Sequence, residues 1–377
     1  MFFKLTFMEL LYDWITQCSL DVKSTIVRQG LIFARKVVGV LKIPLHSIVT
    51  ASLNGPRCEE AFKKFFDERS IVCVVFDTAR ISSQENEKEL ILKMRGALVR
   101  FAHKNHIPLY MISHGVSVKY QAISKANDDP FISPDVVALC NEDEKITYQS
   151  FQSEDTRMVI RGDTRYDLGW IRTLEESARN LAEYQSLSKP GKIALYLVAN
   201  LNWVNDERLL NSIHTDICKL LDTFEDLTLW VKLHPRYPLH FPLAEYGGDR
   251  LKLFGNDTDT NLLLAKADIV ISPLSAVLFH PMLMKRRAIF YDRLRTLTGD
   301  HWKCIFDEAS FLDTVTTPEA LQEACRKILQ GEEFNFDGME AFYKKYLSGG
   351  AGFDESIVEN HARELLRLCK IHDEVPQ

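Results

Sequence analysis

The chain has 377 residues and a mass of 43.4 kDa, with 46% hydrophobic and 26% charged residues. This length exceeds what one hydrophobic core usually supports, so the sequence predicts an ordinary globular protein of two domains. The formal net charge of −6 argues against nucleic-acid binding, because proteins that read the phosphate backbone carry a basic excess. Its eight cysteines include no CxxC pair, which favours reduced core thiols and a cytoplasmic location over a zinc site or a secreted protein.

The N-terminal segment 1–50 is predicted to be helical, basic and separate from the domains. No apolar run in the chain reaches the ~20 residues that a membrane-spanning helix needs. Between Val22 and Cys58 there are six Lys and Arg residues and no acidic residue, with apolar residues at roughly helical spacing. Two interpretations remain open: a basic amphipathic helix on the anionic inner face of the cell membrane, or a helix packed on the domain with its basic side in solvent.

Strand-like and helix-like segments alternate after this region, which indicates parallel strands joined by crossover helices. An amphipathic stretch at 85–105 predicts a helix between the first two strands. The apolar runs that predict the four strands are SIVCVVFD (70–77), IPLYMIS (107–113), DVVALCN (135–141) and RMVIRG (157–162).

The polar stretch AEYQSLSKPGK at 182–192 has the composition of a linker, and the alternation restarts after it. The sequence is therefore divided into a first α/β domain at 51–185, a second at 190–345 and a C-terminal helix at 346–377. The segments that predict the second domain are strands KIALYLVAN, LTLWVKL, LKLFG, DIVIS and RAIFYD, and helices DERLLNSIHTDICKLLDTF, TNLLLAKA, SAVLFHPMLMK and PEALQEACRKILQ.

The strand LTLWVKL ends in the basic turn KLHPR. Lys232 and His234 are two residues apart, so in an extended strand they project from the same face. Pro235 ends the strand, and Arg236 follows in the loop. Ligands of open parallel sheets bind beyond the carboxyl ends of the strands, where such a cluster suits a phosphate. The alternative is a solvated loop that happens to be basic.

A second strand end carries hydroxyl groups. The stretch ISPLSAV passes from a strand into a helix through Ser272 and Ser275, and Ser275 is placed to cap that helix. A helix N-terminus offers free N–H groups and the positive end of the dipole to an anion. The serines therefore either cap the helix alone or cap it and bind a phosphate as well.

Taken in order, these motifs resemble those of the GT-B glycosyltransferases that build bacterial surface polysaccharides. Relevant members are sialyltransferases and polysialyltransferases, Kdo transferases and CDP-glycerol glycerophosphotransferases. KLHPR and ISPLSAV match their donor-domain motifs, LYMISHGVS matches their strand and His-Gly loop, and VIRGDTRYDLGW matches their GSPRYD-x-x-W turn. The resemblance covers about residues 70–370, with Asp163 and Thr164 replacing the serine and proline of that turn. It implies two Rossmann-like domains facing a cleft, in which the HP histidine and the serines hold the donor phosphate.

Three groups of the first domain are candidates for the catalytic base or nucleophile. His114 ends a strand beside Gly115, and an imidazole suits general-base catalysis. Asp77 ends another strand with Arg80 close behind, so it is either a reactive carboxylate or half of a structural ion pair. Asp163 and Arg165 are further candidates to line the cleft.

The resemblance implies a transferase that moves a sugar from a CMP- or UDP-linked nucleotide sugar to a polysaccharide or lipopolysaccharide acceptor. No DxD motif occurs at a strand end, and the turn at Asp257–Thr260 is better explained as a helix cap. Its place beside the donor site leaves contact with the nucleotide as the alternative. We therefore expect no metal and no cofactor beyond the nucleotide-sugar substrate, with a glycan or glycolipid as acceptor. The alternatives are a nucleotide-sugar epimerase or hydrolase of the same fold, and a non-catalytic partner subunit.

Overall fold

The computed structural model describes most of the chain after residue 55. The described ranges are 56–69, 71–77, 98, 100–113, 115–116, 134–148, 155–187, 191–199, 207–234, 248–255, 257–299 and 304–369. The predicted N-terminal segment 1–50, with its basic stretch, lies outside them. No helix within these ranges is long and apolar enough to cross a membrane.

The first half is built on a four-stranded parallel sheet, which confirms the four strands predicted from the apolar runs. Its strand order is β1-β2-β3-β4, so each strand pairs with the next one along the chain. Residues 98 and 100–104 are helical, and they fall within the amphipathic stretch predicted as a helix. The elements are helix α1 (Pro56–Arg69), β1 (Val74–Asp77), β2 (Leu109–Ile112), β3 (Val136–Leu139), helix α2 (Glu144–Tyr148) and β4 (Arg157–Ile160).

The turn after β4 leads into a helix that the sequence did not predict. A single 3₁₀ turn (Thr164–Tyr166) is followed by α3 (Leu168–Asn180) and the short α4 (Ala182–Ser186), which lies in the predicted linker. Asp167 begins α3 as its N-cap, and its carboxylate accepts a hydrogen bond from the Trp170 backbone N–H at 3.1 Å. The spacing RYD-x-x-W therefore has a local reason, because an N-cap side chain reaches the N–H three residues ahead.

The second half contains a six-stranded parallel sheet in the order β10-β9-β8-β5-β6-β7. Its central strands β5, β6 and β8 are almost wholly buried, as expected of strands covered by helices on both faces. The strands are β5 (Lys192–Leu197), β6 (Leu227–Lys232), β7 (Leu251–Phe254), β8 (Ile269–Ser272), β9 (Arg287–Tyr291) and β10 (Asp313–Val315). The helices are α5 (Glu207–Cys218), α6 (Leu220–Thr223), α7 (Thr260–Lys266), α8 (Phe279–Leu283), α9 (Arg293–Thr298) and α10 (Pro318–Leu329).

The C-terminal part returns to the first half. After α11 (Met339–Tyr346), helix α12 (Ile357–Leu368) packs Leu365 and Leu368 against the buried face of the first sheet. Its Glu364 is almost fully buried and forms ion pairs with Arg157 and Arg161 at the two ends of β4. The predicted C-terminal helix is confirmed, and its contacts tie it to the first half rather than to the sheet that precedes it.

The two halves share part of one hydrophobic core. The largest buried cluster contains Tyr166 and Ile171 of the first half together with Leu278, Phe279 and Tyr343 of the second. All strands in each sheet are parallel, so their carboxyl ends share one edge, and such edges are where α/β proteins bind ligands. These two edges are therefore the places to look for a site.

Candidate functional site

An arginine held by a buried aspartate follows β4. Asp163 is 6% exposed, and its carboxylate caps the 3₁₀ turn by accepting the Arg165 N–H at 3.0 Å. The same carboxylate binds the Arg165 guanidinium, with Oδ2 2.6 Å from Nη2 and Oδ1 3.1 Å from Nε. Burial lowers the pKa of Arg165, but the hydrogen bond and charge of Asp163 outweigh it and raise that pKa above its usual value. Asp163 is therefore engaged by Arg165, whose side chain is 48% exposed and offers positive charge to a ligand.

The guanidinium lies on the turn that follows β2. A Cβ atom at Gly115 would sit 2.1 Å from Nη2 of Arg165, so any larger residue there would displace the guanidinium from this position. In the structure the group that approaches Gly115 is the Arg165 guanidinium. His114 lies outside the described residues, and its neighbours in the chain place the turn beside the arginine.

The buried carboxylate of Glu144 lies next to the same turn, at Ser113. Glu144 is fully buried; it accepts the Cys140 backbone N–H at 2.8 Å, and its Oε1 is 3.4 Å from the Ser113 hydroxyl. The Ser113 hydroxyl also donates to the Gly115 carbonyl at 3.0 Å. Burial, followed by the charge of Glu144, raises the pKa of the Cys140 thiol well above its usual value. Sequence reasoning missed Glu144, although Asn141-x-x-Glu144 has the spacing of a capping box and Asn141 does accept the Glu144 N–H.

The remaining first-half candidates are placed only in part. Asp77 is the last residue of β1 and pairs in register with Ile112, so it lies one strand away from Ser113. Its side chain, like Arg80, lies outside the described residues. The structure thus brings the backbone of Asp77 to the same edge as Gly115 and Arg165, and its catalytic role stays a prediction.

In the second half, the lysine of the basic turn faces β7. Lys232 is 7% exposed, and its Nζ donates to the Gly255 carbonyl. Burial lowers the pKa of Lys232, while Asp257 and Asp259 oppose the shift. His234 is half-buried two residues later, and Arg236 lies outside the described residues. Phosphate binding by these residues stays a prediction.

The two serines of the next strand end differ in their surroundings. Ser272 is fully buried and donates to the Leu197 carbonyl at 3.0 Å, which uses its hydroxyl proton within the sheet. Ser275 is half-buried, and its Oγ accepts the Val277 N–H at 3.4 Å, which confirms the predicted cap. Because Leu197 pairs with Lys232, Ser272 and Lys232 lie on either side of one strand, about 10 Å apart at the strand spacing of a sheet.

The aspartates after β7 have the role expected of a turn. Asp259 is the N-cap of α7, and its carboxylate accepts the Asn261 N–H at 2.9 Å. The cap interpretation of this stretch is confirmed. Within the described ranges, no three His, Cys, Asp or Glu side chains are grouped so that they could hold a metal ion.

The two edges meet where Tyr166 reaches the second half. Its hydroxyl donates to the Ala276 carbonyl at 3.1 Å, and its ring contacts the His280 ring with centroids 5.4 Å apart. Burial and the charge of Arg165 lower the pKa of His280 to about 4, against the opposing charge of Asp163, so this imidazole is neutral at pH 7. Its Nδ1 is buried and has no hydrogen-bond partner within the described part of the chain. Sequence reasoning missed His280, whose only signal was a second His-Pro pair after the ISPLSAV motif.

The structure therefore brings Gly115, Asp163 and Arg165 of the first half to Ser275 and His280 of the second. The arrangement offers a cation for a phosphate, a capped helical turn in the second half and a neutral imidazole near the cation. Such a site is suited to binding and polarising a phosphorylated ligand.

A family model described as CDP-Glycerol:Poly(glycerophosphate) glycerophosphotransferase matches residues 108–352 of this chain. That range includes Gly115, Asp163, Arg165, Ser275 and His280, whereas Asp77 at the end of β1 lies before it. Comparison with curated proteins gives no significant match.

Solved structures similar to this chain include several UDP-N-acetylglucosamine 2-epimerases. A putative enzyme of this kind from Listeria monocytogenes aligns at a TM-score of 0.54 with 12% identity, over 84% of this chain and 80% of its own. The Methanocaldococcus jannaschii enzyme aligns at a TM-score of 0.54 with 13% identity, over 84% of this chain and 82% of its own. The Neisseria meningitidis enzyme, bound to UDP-GlcNAc, aligns at a TM-score of 0.52 with 12% identity, over 85% of this chain and 82% of its own. At such identities the likeness establishes the fold alone, which is the predicted GT-B fold of two Rossmann-like domains.

Proposed function

This chain belongs to the CDP-glycerol:poly(glycerophosphate) glycerophosphotransferase family, and we propose that it transfers glycerol phosphate from CDP-glycerol to a cell-surface polymer. The family assignment makes it a transferase, as the sequence motifs predicted. The observation that carries the proposal is the family match over residues 108–352, which spans both halves of the site. The motifs predicted a CMP- or UDP-linked donor, whereas the family name favours a CDP-linked one.

The proposed reaction is a phosphoryl transfer. A terminal hydroxyl of the acceptor attacks the glycerol-bearing phosphorus of CDP-glycerol, a new P–O ester bond forms, and the P–O–P bond breaks. CMP leaves with the electron pair of that bond, and the hydroxyl proton passes to a base. Positioning and charge stabilisation supply most of the catalysis in reactions of this type.

Arg165 is suited to hold the donor phosphate from the first half. Asp163 fixes its guanidinium in place, and a planar guanidinium binds phosphate oxygens in a bidentate manner. From the second half, the turn at Ser275 supports the same role, and His234 and Arg236 are proposed to add positive charge there. Because these cations can neutralise the departing phosphate, we propose that transfer needs no divalent metal, and that EDTA leaves the rate unchanged.

His114 is the proposed base, because it adjoins Gly115, on which the Arg165 guanidinium lies. Asp77 is the rival, since it ends the neighbouring strand β1. We expect His114→Ala to lower turnover by about 10²–10⁴ with little change in donor affinity. If Asp77→Asn abolishes transfer while His114→Ala keeps most of it, the carboxylate is the base and the histidine assignment is wrong.

The acceptor is proposed to be a polymer of the cell surface that is assembled on a glycolipid. A teichoic-acid-like chain fits the family name best, and capsule or lipopolysaccharide is the broader prediction from the motifs. Assembly on a membrane lipid would suit an enzyme at the inner face of the membrane, where the basic stretch at 22–42 is proposed to bind.

The test is to measure CMP release from CDP-glycerol by the full chain, with and without a poly(glycerophosphate) acceptor. The proposal requires acceptor-dependent release, together with growth of the acceptor. A parallel reaction with UDP-GlcNAc detects the alternative: 2-epimerisation without acceptor would identify an epimerase of this fold. Binding of CDP-glycerol without turnover under any condition would instead indicate a non-catalytic subunit.

A further inference from the structure

One peptide unit beside the candidate site is held at both of its polar atoms by the C-terminal segment. This unit joins Gly162 to Asp163. The Gly162 carbonyl oxygen lies 3.0 Å from Nε2 of His361, and the Asp163 N–H donates to the Leu347 carbonyl at 2.8 Å. In a trans peptide these two groups point in opposite directions, so the unit is fixed from both sides.

The hydrogen-bond partners define which histidine nitrogen carries the proton. A carbonyl oxygen only accepts, so Nε2 of His361 must be the donor to Gly162. Burial lowers the pKa of His361 and favours the neutral ring, in which Nδ1 is then an acceptor. The Tyr110 hydroxyl, 2.9 Å from Nδ1, therefore donates to it. The chain Tyr110, His361, Gly162 connects the core of the first sheet to the loop through a residue of α12.

The geometry of Gly162 leaves little room for another arrangement. Its φ is +80°, and a Cβ atom there would lie 2.5 Å from the backbone carbon of Ser348. The loop thus passes close against residues 347–349 and depends on the C-terminal segment for its shape. The next residues are Asp163 and Arg165, so any rotation of this peptide unit moves the guanidinium.

We propose that His361 is a positioning residue for Arg165, acting through the Gly162–Asp163 peptide unit. It does not touch the substrate; it holds the backbone from which Asp163 aims the guanidinium at the site. This inference rests on the proposed function only for its kinetic readout. Nothing in the sequence pattern of α12 distinguishes His361 from an ordinary buried residue of a C-terminal helix.

The kinetic test compares three variants of the full chain with CDP-glycerol as the donor. His361→Ala removes the hydrogen bond to Gly162, whereas His361→Gln keeps an amide N–H at a similar reach. Leu365→Ala is the matched control, because it removes apolar contact one turn later on α12 without touching Gly162. All assays are made well below the melting temperature of every variant.

We expect His361→Ala to lower kcat/KM by about 10- to 100-fold, the scale of a displacement of roughly 1 Å in a site. His361→Gln should recover activity to within about threefold of the wild type, and Leu365→Ala should remain near it. When His361→Ala is added to Arg165→Ala, kcat/KM should fall little further, because the two residues act as one unit. An equal loss in Leu365→Ala, or a full additional loss in the double variant, would overturn the positioning role.

A second measurement needs no substrate. Hydrogen exchange of the Asp163 amide should be about tenfold faster in His361→Ala than in Leu365→Ala or His361→Gln, because release of the Gly162 carbonyl loosens the peptide unit. Faster exchange in a protein that does not use CDP-glycerol would support the positioning role while the proposed function fails. Unchanged exchange at Asp163 refutes the positioning role, whatever the substrate.

Discussion

Removal of the Asp167 carboxylate should destabilise the protein, because this side chain serves the first turns of two helices. Oδ1 accepts the Trp170 N–H at 3.1 Å in α3, and Oδ2 accepts the Val358 N–H at 3.2 Å in α12. Oδ2 also accepts the Ser356 hydroxyl at 2.8 Å. Asp167 is 4% exposed, so water does not replace these bonds when the side chain is removed.

The expected loss follows from these three hydrogen bonds. A helix cap contributes about 1 kcal/mol, and a hydrogen bond from a hydroxyl to a carboxylate contributes about 1.5 kcal/mol or more. We therefore expect Asp167→Ala to lower the free energy of unfolding by about 3–4 kcal/mol. Asp167→Asn keeps one acceptor oxygen and should lose about half as much.

The pH dependence supplies an independent check. Burial opposes ionisation of Asp167, but hydrogen bonds from Ser356, Trp170 and Val358 lower its pKa in the folded protein. A lowered carboxyl pKa stabilises the fold above the unfolded value of about 3.9, and that stability is lost as pH falls through the folded pKa. The difference between wild type and Asp167→Asn should therefore be full at pH 7 and shrink below about pH 4.

Urea denaturation, followed by tryptophan fluorescence and by circular dichroism, measures these differences. Ser356→Ala is the control, since it removes the hydroxyl donor to Asp167 and the cap of α12 but leaves the α3 cap intact. Ser356→Ala should lower the free energy of unfolding by less than Asp167→Ala does. A free energy of unfolding for Asp167→Ala within about 0.5 kcal/mol of the wild-type value would refute the shared-cap reasoning.

Three further predictions concern other parts of the chain. His234→Ala and Arg236→Ala should each weaken CDP binding by about 1.5–3 kcal/mol in calorimetry, and unchanged affinity in both would remove this turn from the site. Cys73 and Cys369 are in side-chain contact, so oxidation with diamide should join them in a disulfide that links α12 to the start of β1. Burial raises the pKa of both thiols, so the rate of oxidation should increase with pH. If peptide mapping finds no such disulfide, the packing of the two cysteines is contradicted. If residues 22–42 bind membranes, the protein should sediment with anionic vesicles and be released by salt, whereas equal recovery with neutral vesicles would argue against it.

Much of the fold was predictable because its strands are short apolar runs with polar ends. The run LTLWVK is buried at all six positions of β6. A parallel strand that is covered on both faces is a nearly continuous hydrophobic run, so the sequence alone identifies it. The caps at Ser275 and Asp259 were equally local, since each side chain reaches an N–H two residues ahead. Helix α3 was missed because its cap was interpreted only as part of a motif.

The site was harder to predict because its contacts cross long stretches of chain. His280 lies 115 residues after Arg165 in the sequence, and their proximity depends on Tyr166 reaching Ala276 across the two sheets. Glu144 and His361 are buried polar residues whose partners are backbone groups, and a backbone group leaves no pattern in a sequence. A single sequence indicates which residues end strands, but not which ends meet.

The loop from Arg161 to Asp167 is held by hydrogen bonds and ion pairs from both halves of the protein. The Tyr166 hydroxyl donates to the Ala276 carbonyl in the second half. The Tyr343 hydroxyl of the C-terminal part donates to the Tyr166 carbonyl at 3.2 Å. Arg161 is paired with the buried Glu364, and the loop ends at the cap shared by α3 and α12. Because the cleft arginine stands on this loop, substitutions in the C-terminal segment 343–364 should alter donor binding, although the family match ends at residue 352. The C-terminal segment therefore helps to hold the loop that carries Arg165, and it is a structural part of the site.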